Sequence, residues 1–397
     1  MLCIYNARII LPTGIYPGRV IVREDRIDKV EIGIQEMITP VEGEQICGID
    51  ACGKYLSPGF MDIHTHGAGG MDFMDGDAQS IYGACCAHLQ HGTTSIVPTT
   101  IASTPASLHE FVALFNTLKL EQMQMPHILG MHLEGPYFAC GQRGAQAKEH
   151  LSNPAPDEYM AVLEQTERII RWSFAVELPG ADEFLAELCR RGIVPSLAHS
   201  SATCKQTIHA YNCGVRALTH FYSGMESVHR EHAFRVAGAV EAGYLLDDLY
   251  VEVIADGCHL PSELLQLIYK VKGPDRICLV TDSMRGAGMP NGHYRLGNRE
   301  TGLETIVEDG VAKLLDRSAF AGSVATADRL VRTMYRLTTA PLHECVKMMT
   351  LTPARLLGLD GMYGSICPGK KADLLIFDED ITIDRIFVAG QEIQQRK

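Results

Sequence analysis

Two histidines one residue apart, His64 and His66, end the short apolar run Phe60-Met61-Asp62-Ile63, with Gly67 directly behind them. On an extended strand, residues i and i+2 point to the same side, so both imidazoles can aim at one point. The glycine then lets the chain turn away. Other apolar runs further along end in the same way. One closes on His132-Leu133-Glu134, another on Ala198-His199, another on Thr219-His220, and another on Thr281-Asp282; a further run leads into Asp256-Gly257-Cys258-His259. Nitrogen and carboxylate ligands suit Zn²⁺, Fe²⁺ or Mn²⁺ better than Ca²⁺ or Mg²⁺. Glu134, His199 and His220 make a three-ligand site with an open position, and His64 and His66 could hold a second ion with Glu134 bridging. A divalent ion lowers the pKa of a bound water to about 7. Asp282 is placed to take that proton and hand it to a leaving group, and His259 to donate to a developing oxyanion. The chemistry this predicts is hydrolysis at a carbonyl carbon.

The elements that must carry these residues are eight short β-rich runs, mostly followed by helical patterns. They are Phe60–His64, Ser95–Pro98, Ile128–Leu133, Ile170–Val176, Val194–His199, Ala217–His220, Tyr250–Ala255 and Ile277–Thr281. Between the first two, Ile81, Ala84, Cys85, His88 and Leu89 fall at helical spacing. Leu185, Leu188 and Cys189 repeat the pattern more weakly. Eightfold strand-helix alternation predicts a parallel barrel ringed by helices, with catalytic groups at the C-terminal strand ends. Residues 291–315 read as an insertion of turns and short strands, with helices following at Ala325–Leu337 and Leu342–Leu357. Strand patterns at Leu2–Ile10, Arg19–Arg23 and Ile27–Ile32 match others at Ala372–Phe377 and Arg385–Ala389. The expectation is one small β domain built from residues 1–55 and 358–397, with the barrel, 56–357, inserted between.

Composition narrows the function classes. The chain has 397 residues, 46% of them hydrophobic and 21% charged, and a net charge of −13. Such a balance argues against a nucleic-acid partner, and no apolar stretch is long enough to span a bilayer. Met1-Leu2-Cys3-Ile4-Tyr5-Asn6 lacks signal-peptide character, so a cytoplasmic protein with reduced thiols is expected. Of the remaining histidines, His88 and His91 share a helix face in the outer ring and read as packing or solvated residues. His229 and His232 lie on a loop of the active face.

The segments SPGFMDIHTHGAGGMDFMD (57–75), GTTSIVPTT (92–100), HLEGPYF (132–138), LAHSSAT (197–203), LTHFYSGM (218–225), VIADGCHLP (253–261), LVTDSM (279–284), FAGS (320–323) and TPARLLGL (352–359) extend over nearly the whole chain. Together they resemble the N-acetylglucosamine-6-phosphate deacetylase family of the amidohydrolase superfamily. That resemblance implies a TIM-like (β/α)8 barrel of the metal-dependent hydrolase type with a small β-sandwich domain. It implies a principal metal on Glu134, His199 and His220, and a second on His64 and His66, with zinc first and iron or manganese as alternatives. Asp282 matches the catalytic acid/base and His259 a histidine that contacts substrate. Ala145, Ser223, Gly224, Arg230 and Ala321 match further substrate-binding positions. The family reaction releases acetate from the 2-acetamido group of a sugar phosphate, and its members are usually homodimers with sites near the subunit interface.

Two departures bear on the sugar. Ser223-Gly224 stands where the family usually has Asn-Ala. His229-Arg230-Glu231-His232-Ala233 stands where it has His-Arg-Glu-Pro-Gly, whose arginine binds phosphate; Arg235 and Arg143 compete with Arg230 for that role. An N-acetylgalactosamine 6-phosphate deacetylase is therefore an alternative. So is another amidohydrolase, either an amidase or a deaminase. The fourth run ends Ala175-Val176-Glu177, without the lysine that bridges two metals in cyclic-amide hydrolases. A catalytically inactive binding scaffold is the reading from another class, and the intact ligand set argues against it.

Overall fold

The computed structural model describes residues 1–39 and 45–394. Eight parallel strand positions form a ring. Strand one is Phe60–Thr65 and strand two Thr93–Pro98; strand three comes in two pieces, His127–Ile128 and Met131–Glu134. Strands four to eight are Ile169–Phe174, Val194–Leu197, Ala217–Leu218, Tyr250–Val253 and Ile277–Leu279. Each pairs in parallel with the next. The ring closes where the Asp282 amide donates to the His64 carbonyl at 2.9 Å, and the seam between strands two and three is completed by Thr100 N–H to His132 O at 3.0 Å.

Strand three is not continuous as expected. Gly130 breaks it at φ +151, where an added Cβ would lie 2.6 Å from Ile170 Cγ2. A glycine inside a strand marks such a close approach. Strand one is also irregular: its register with strand two slips between Asp62 and Thr65. Ile63 packs inside the barrel with Met61, Val97 and Ala217. Strict alternation would send His64 the other way, and the slip brings it back to the mouth. The helix expected over 342–357 is two, Leu342–Met348 and Leu351–Leu356. Pro353 has no amide hydrogen and its ring clashes with a continuing helical carbonyl, and Thr350 sits at φ −137, ψ −79.

The insertion after strand eight is a three-stranded antiparallel sheet of Gly292–Leu296, Leu303–Glu308 and Val311–Leu314. The terminal segments form a single eight-stranded sheet in which Leu374–Phe377 pairs with Tyr55–Pro58, which in turn pairs with Leu2–Leu11. Its core is Ile4, Ile9, Val20, Leu56, Leu374 and Phe387. Gly59 alone separates this sheet from barrel strand one. Among the described residues no helix is long and apolar enough to cross a membrane.

Candidate metal centre and active site

Three of the site residues lie just past their strands and bend the backbone into the left-handed region: His199 at φ 45°, His220 at φ 33° and Asp282 at φ 47°. Non-glycine residues rarely adopt this conformation, and it concentrates at functional sites. The bends turn all three side chains over the barrel mouth, where they meet Glu134 from strand three and His64 and His66 from strand one.

Glu134 is at the centre. Its Oε1 lies 3.0 Å from His220 Nε2, 3.5 Å from His199 Nε2 and 3.5 Å from His64 Nε2, and its Oε2 lies 3.5 Å from His66 Nε2. Two overlapping groups result, His64/His66/Glu134 and Glu134/His199/His220, each with ligand atoms within 4.8 Å of one another. Asp282 Oδ1 is 3.1 Å from His66 Nε2 and 3.5 Å from His64 Nε2. Burial raises the pKa of both carboxyls, and the imidazoles outweigh it. His64, with hydrogen bonds from His199 and His220, holds Glu134 well below the usual carboxylate range. His64 and His66 likewise hold Asp282 below it.

The tautomers follow from the second partners. His199 Nδ1 is 2.8 Å from the Gln142 carbonyl, His220 Nδ1 is 3.1 Å from the Ser223 carbonyl, and His64 Nδ1 is 3.0 Å from Glu252 Oε2. Carbonyls and carboxylates accept, so each Nδ1 donates outward and each Nε2 faces the centre, where it can donate to Glu134 or, on losing its proton, present a lone pair to a cation. The Nε2 atoms of His199 and His220 are 3.2 Å apart, and His64 Nε2 is buried with no hydrogen-bond partner. Imidazole nitrogens gathered this way around a carboxylate fit a divalent cation.

The remaining expected residues divide. His259, Ser223, Gly224 and Ala145 line the same 170 Å³ cavity as the metal-competent cluster. Asp256 Oδ2 accepts from His259 Nδ1 at 2.8 Å, leaving Nε2 for the cavity. Gly224 stands at φ +58, and an added Cβ would lie 2.7 Å from His199 Nδ1. The glycine is thus demanded by the His199 ring packed against it. The Ala321 side chain is fully buried among Met284, Leu296, Val307 and Ala312, and its neighbours Phe320 and Gly322 line the cavity. Arg230 is not brought to its own chain's cavity. It lies exposed on the hairpin His229–Glu231/Phe234–Val236 and does not line this cavity, and neither do Arg235 or Arg143. His229 turns to Ser227 O and Glu231 rather than to the cavity. His88 is not remote from the active face. It is buried, with Nε2 2.9 Å from Thr65 Oγ1 and 3.3 Å from Gly67 O, so it props the backbone around His66.

Several supporting residues were not anticipated. Arg171 and Glu252, both fully buried, form an ion pair inside the barrel, and Glu252 orients His64. Gln146 donates to Glu134 Oε2 at 2.9 Å while accepting from the Ala102 amide at 3.0 Å. A charged residue in the middle of a buried strand, as in Ile170-Arg171-Trp172 or Val251-Glu252-Val253, was the available signal. Gln146 carried none.

The fold and the site define a metal-dependent hydrolase. The amidohydrolase family profile matches residues 55–393, and the chain belongs to that family of hydrolytic enzymes. Within it, the chain is a member of the N-acetylglucosamine-6-phosphate deacetylase family. It is 33% identical over 380 residues to an N-acetylgalactosamine-6-phosphate deacetylase of Escherichia coli O157:H7, covering 94% of this chain and 97% of the relative. It is 30% identical to an N-acetylglucosamine-6-phosphate deacetylase of Lysinibacillus sphaericus, covering 90% of each. The solved deacetylase from Thermotoga maritima superimposes with a TM-score of 0.85 at 32% identity, covering 99% of each chain. The Mycobacterium smegmatis deacetylase in complex with N-acetyl-D-glucosamine-6-phosphate gives a TM-score of 0.88 at 28% identity, also over 99% of each.

Proposed function

We propose that this enzyme hydrolyses the acetamido group of N-acetylglucosamine 6-phosphate, giving the amino sugar phosphate and acetate. The observation that carries this reading is the meeting of Glu134, His66, His199, His220 and Asp282 in one cavity that Ser223, Gly224 and His259 also line, with His64 buried directly beside them. Relatives named for this reaction supply the sugar.

Glu134, His199 and His220 would hold the principal divalent ion, and His64 and His66 a second, zinc being the best match to this donor set. A bound ion supplies Lewis acidity and activates water toward the amide carbonyl. The chain does the rest. Glu252, Gln142 and Ser223 fix the ligand tautomers, and Gln146 fixes the carboxylate. Asp282, kept ionised by its histidine neighbours, takes a proton from the attacking water and delivers it to the departing amine nitrogen. His259, oriented by Asp256, donates to the substrate through Nε2.

The small β domain (1–55 and 358–397) is read as its one sheet curling into a sandwich beside the barrel (56–357), and the protein as a cytoplasmic homodimer. The exposed hairpin 229–236, with Phe234 78% exposed, is the surface we assign to the partner. Arg230, away from its own cavity, then offers its guanidinium to the phosphate at the neighbouring subunit's site. Acetate release should be measured from the N-acetyl derivatives of glucosamine and galactosamine, each with and without 6-phosphate. Fastest turnover of N-acetylglucosamine 6-phosphate is expected. Preference for the galacto epimer would reassign the sugar, and no release from any would refute the reading.

A further inference from the structure

The barrel mouth has two unlike sides. Ser223, Gly224 and His259 follow strands six and seven and present polar groups. Ile101 follows strand two, Ala145 follows strand three and Leu296 ends the first strand of the insertion; all three line the catalytic cavity on its other side. The same three residues also line a second, larger cavity of 260 Å³. Its lining combines apolar Phe73, Met74, Ala102 and Phe111 with polar Ser107, Glu110, His150 and Asn298. The two cavities are therefore neighbours across one thin wall of small and branched side chains.

A planar amide directs its nitrogen substituent and its acyl substituent to opposite ends of the C–N bond. With the carbonyl carbon between Glu134 and Asp282 and the sugar toward Ser223 and His259, the acyl group points at Ile101, Ala145 and Leu296. An acetyl methyl stops at that wall. A longer chain would reach between these side chains toward Phe73, Met74 and Phe111 of the second cavity, where burial of each methylene is favourable.

We propose that the second cavity is an acyl-chain subsite, and that the enzyme removes unbranched N-acyl groups from butyryl to hexanoyl as well as acetyl. This rests on the deacetylase reading above and extends it. The chemistry is unchanged: the amide C–N bond breaks, the water oxygen bonds to the acyl carbon, and the proton passes to the amine, leaving a fatty acid and the amino sugar phosphate.

The test measures glucosamine 6-phosphate, a product common to every substrate, released from its N-acetyl, N-butyryl and N-hexanoyl derivatives by the metal-loaded enzyme. The N-butyryl compound should match or exceed the N-acetyl compound in kcat/KM. Ser107→Phe places a ring in the second cavity, which Ser107 lines, while keeping the backbone amide that Thr104 Oγ1 accepts. It should lower the butyryl-to-acetyl ratio by about sixteenfold, roughly fourfold for each of two methylenes. Ile101→Ala thins the shared wall and should raise the hexanoyl-to-acetyl ratio, which keeps the test open if the phenylalanine variant does not fold. Efficient acetyl release with butyryl slower by about a hundredfold or more, or ratios unmoved by the variants, would overturn the subsite and leave the deacetylase standing. No release from any derivative would overturn both.

Discussion

Replacing Arg171 by methionine should destabilise the barrel far more than a surface charge would. The guanidinium is fully buried beneath the candidate metal centre. It donates to Ser196 Oγ at 3.0 Å and Thr219 Oγ1 at 3.1 Å and pairs with Glu252, itself fully buried. Glu252 in turn accepts from His64 Nδ1 at 3.0 Å and from the His220 amide at 3.2 Å. Methionine fills most of the space but leaves the carboxylate without its guanidinium. Breaking a buried pair from one side costs about 3–5 kcal/mol. In the double variant Arg171→Met/Glu252→Gln, the amide oxygen still accepts from His64 while the uncompensated charge is gone, so about half or more of the loss should return. The single tryptophan, Trp172, adjoins Arg171 and donates to Gly135 O at 2.8 Å. Its fluorescence can report urea unfolding at the site itself. With an m-value near 3 kcal/mol/M, the single variant's midpoint should fall by about 1 M or more. A loss below about 1 kcal/mol, the range of an exposed pair, would refute the argument. So would a double variant no more stable than the single one.

Asp282→Asn should lower turnover by about 10²–10⁴-fold with metal content per subunit unchanged; near-normal rates would remove Asp282 from proton transfer. His199→Ala should reduce bound metal, measured by mass spectrometry of the dialysed protein, and unchanged content would refute its assignment as a ligand. Burial, with the charge of His91 adding, pushes the buried His88 down to about 4 from 6.5. As pH falls below 6.5, the unfolded chain binds a proton that the folded chain refuses. His88 therefore contributes a stability loss of ~3 kcal/mol between neutral pH and pH 4. Stability-pH curves of wild type and His88→Gln should diverge in that window, and parallel curves would discount the burial argument.

The barrel was legible because strand ends in this architecture repeat one motif: apolar residues, then a polar group where the chain leaves the sheet. That regularity brings His66, Glu134, His199, His220, His259 and Asp282 to one cavity, with His64 buried beside them. Its failures have local causes. The Arg171–Glu252 pair joins residues 81 positions apart that meet only across the barrel interior, and no spacing rule anticipates it. Ala321 belongs to a matching motif, yet alternation along its segment turns it toward Met284 and Leu296 and gives the cavity its neighbours. Arg230 aligns with a phosphate contact, but the hairpin built around it leads away from its own subunit's cavity. His88 follows helical spacing correctly, and the inner face of that helix rests on the strand ends that carry the site.

The left-handed bends at His199, His220 and Asp282 set stability against chemistry at the same three positions. An L-residue held in that conformation costs roughly 1–2 kcal/mol that glycine would not. Glycine at any of the three would relax the backbone while deleting a ligand or the proton carrier. Random drift in a lineage no longer needing catalysis would therefore run downhill here, toward glycine. Two histidines and an aspartate at such bends are explained by what their side chains do, not by what the backbone prefers.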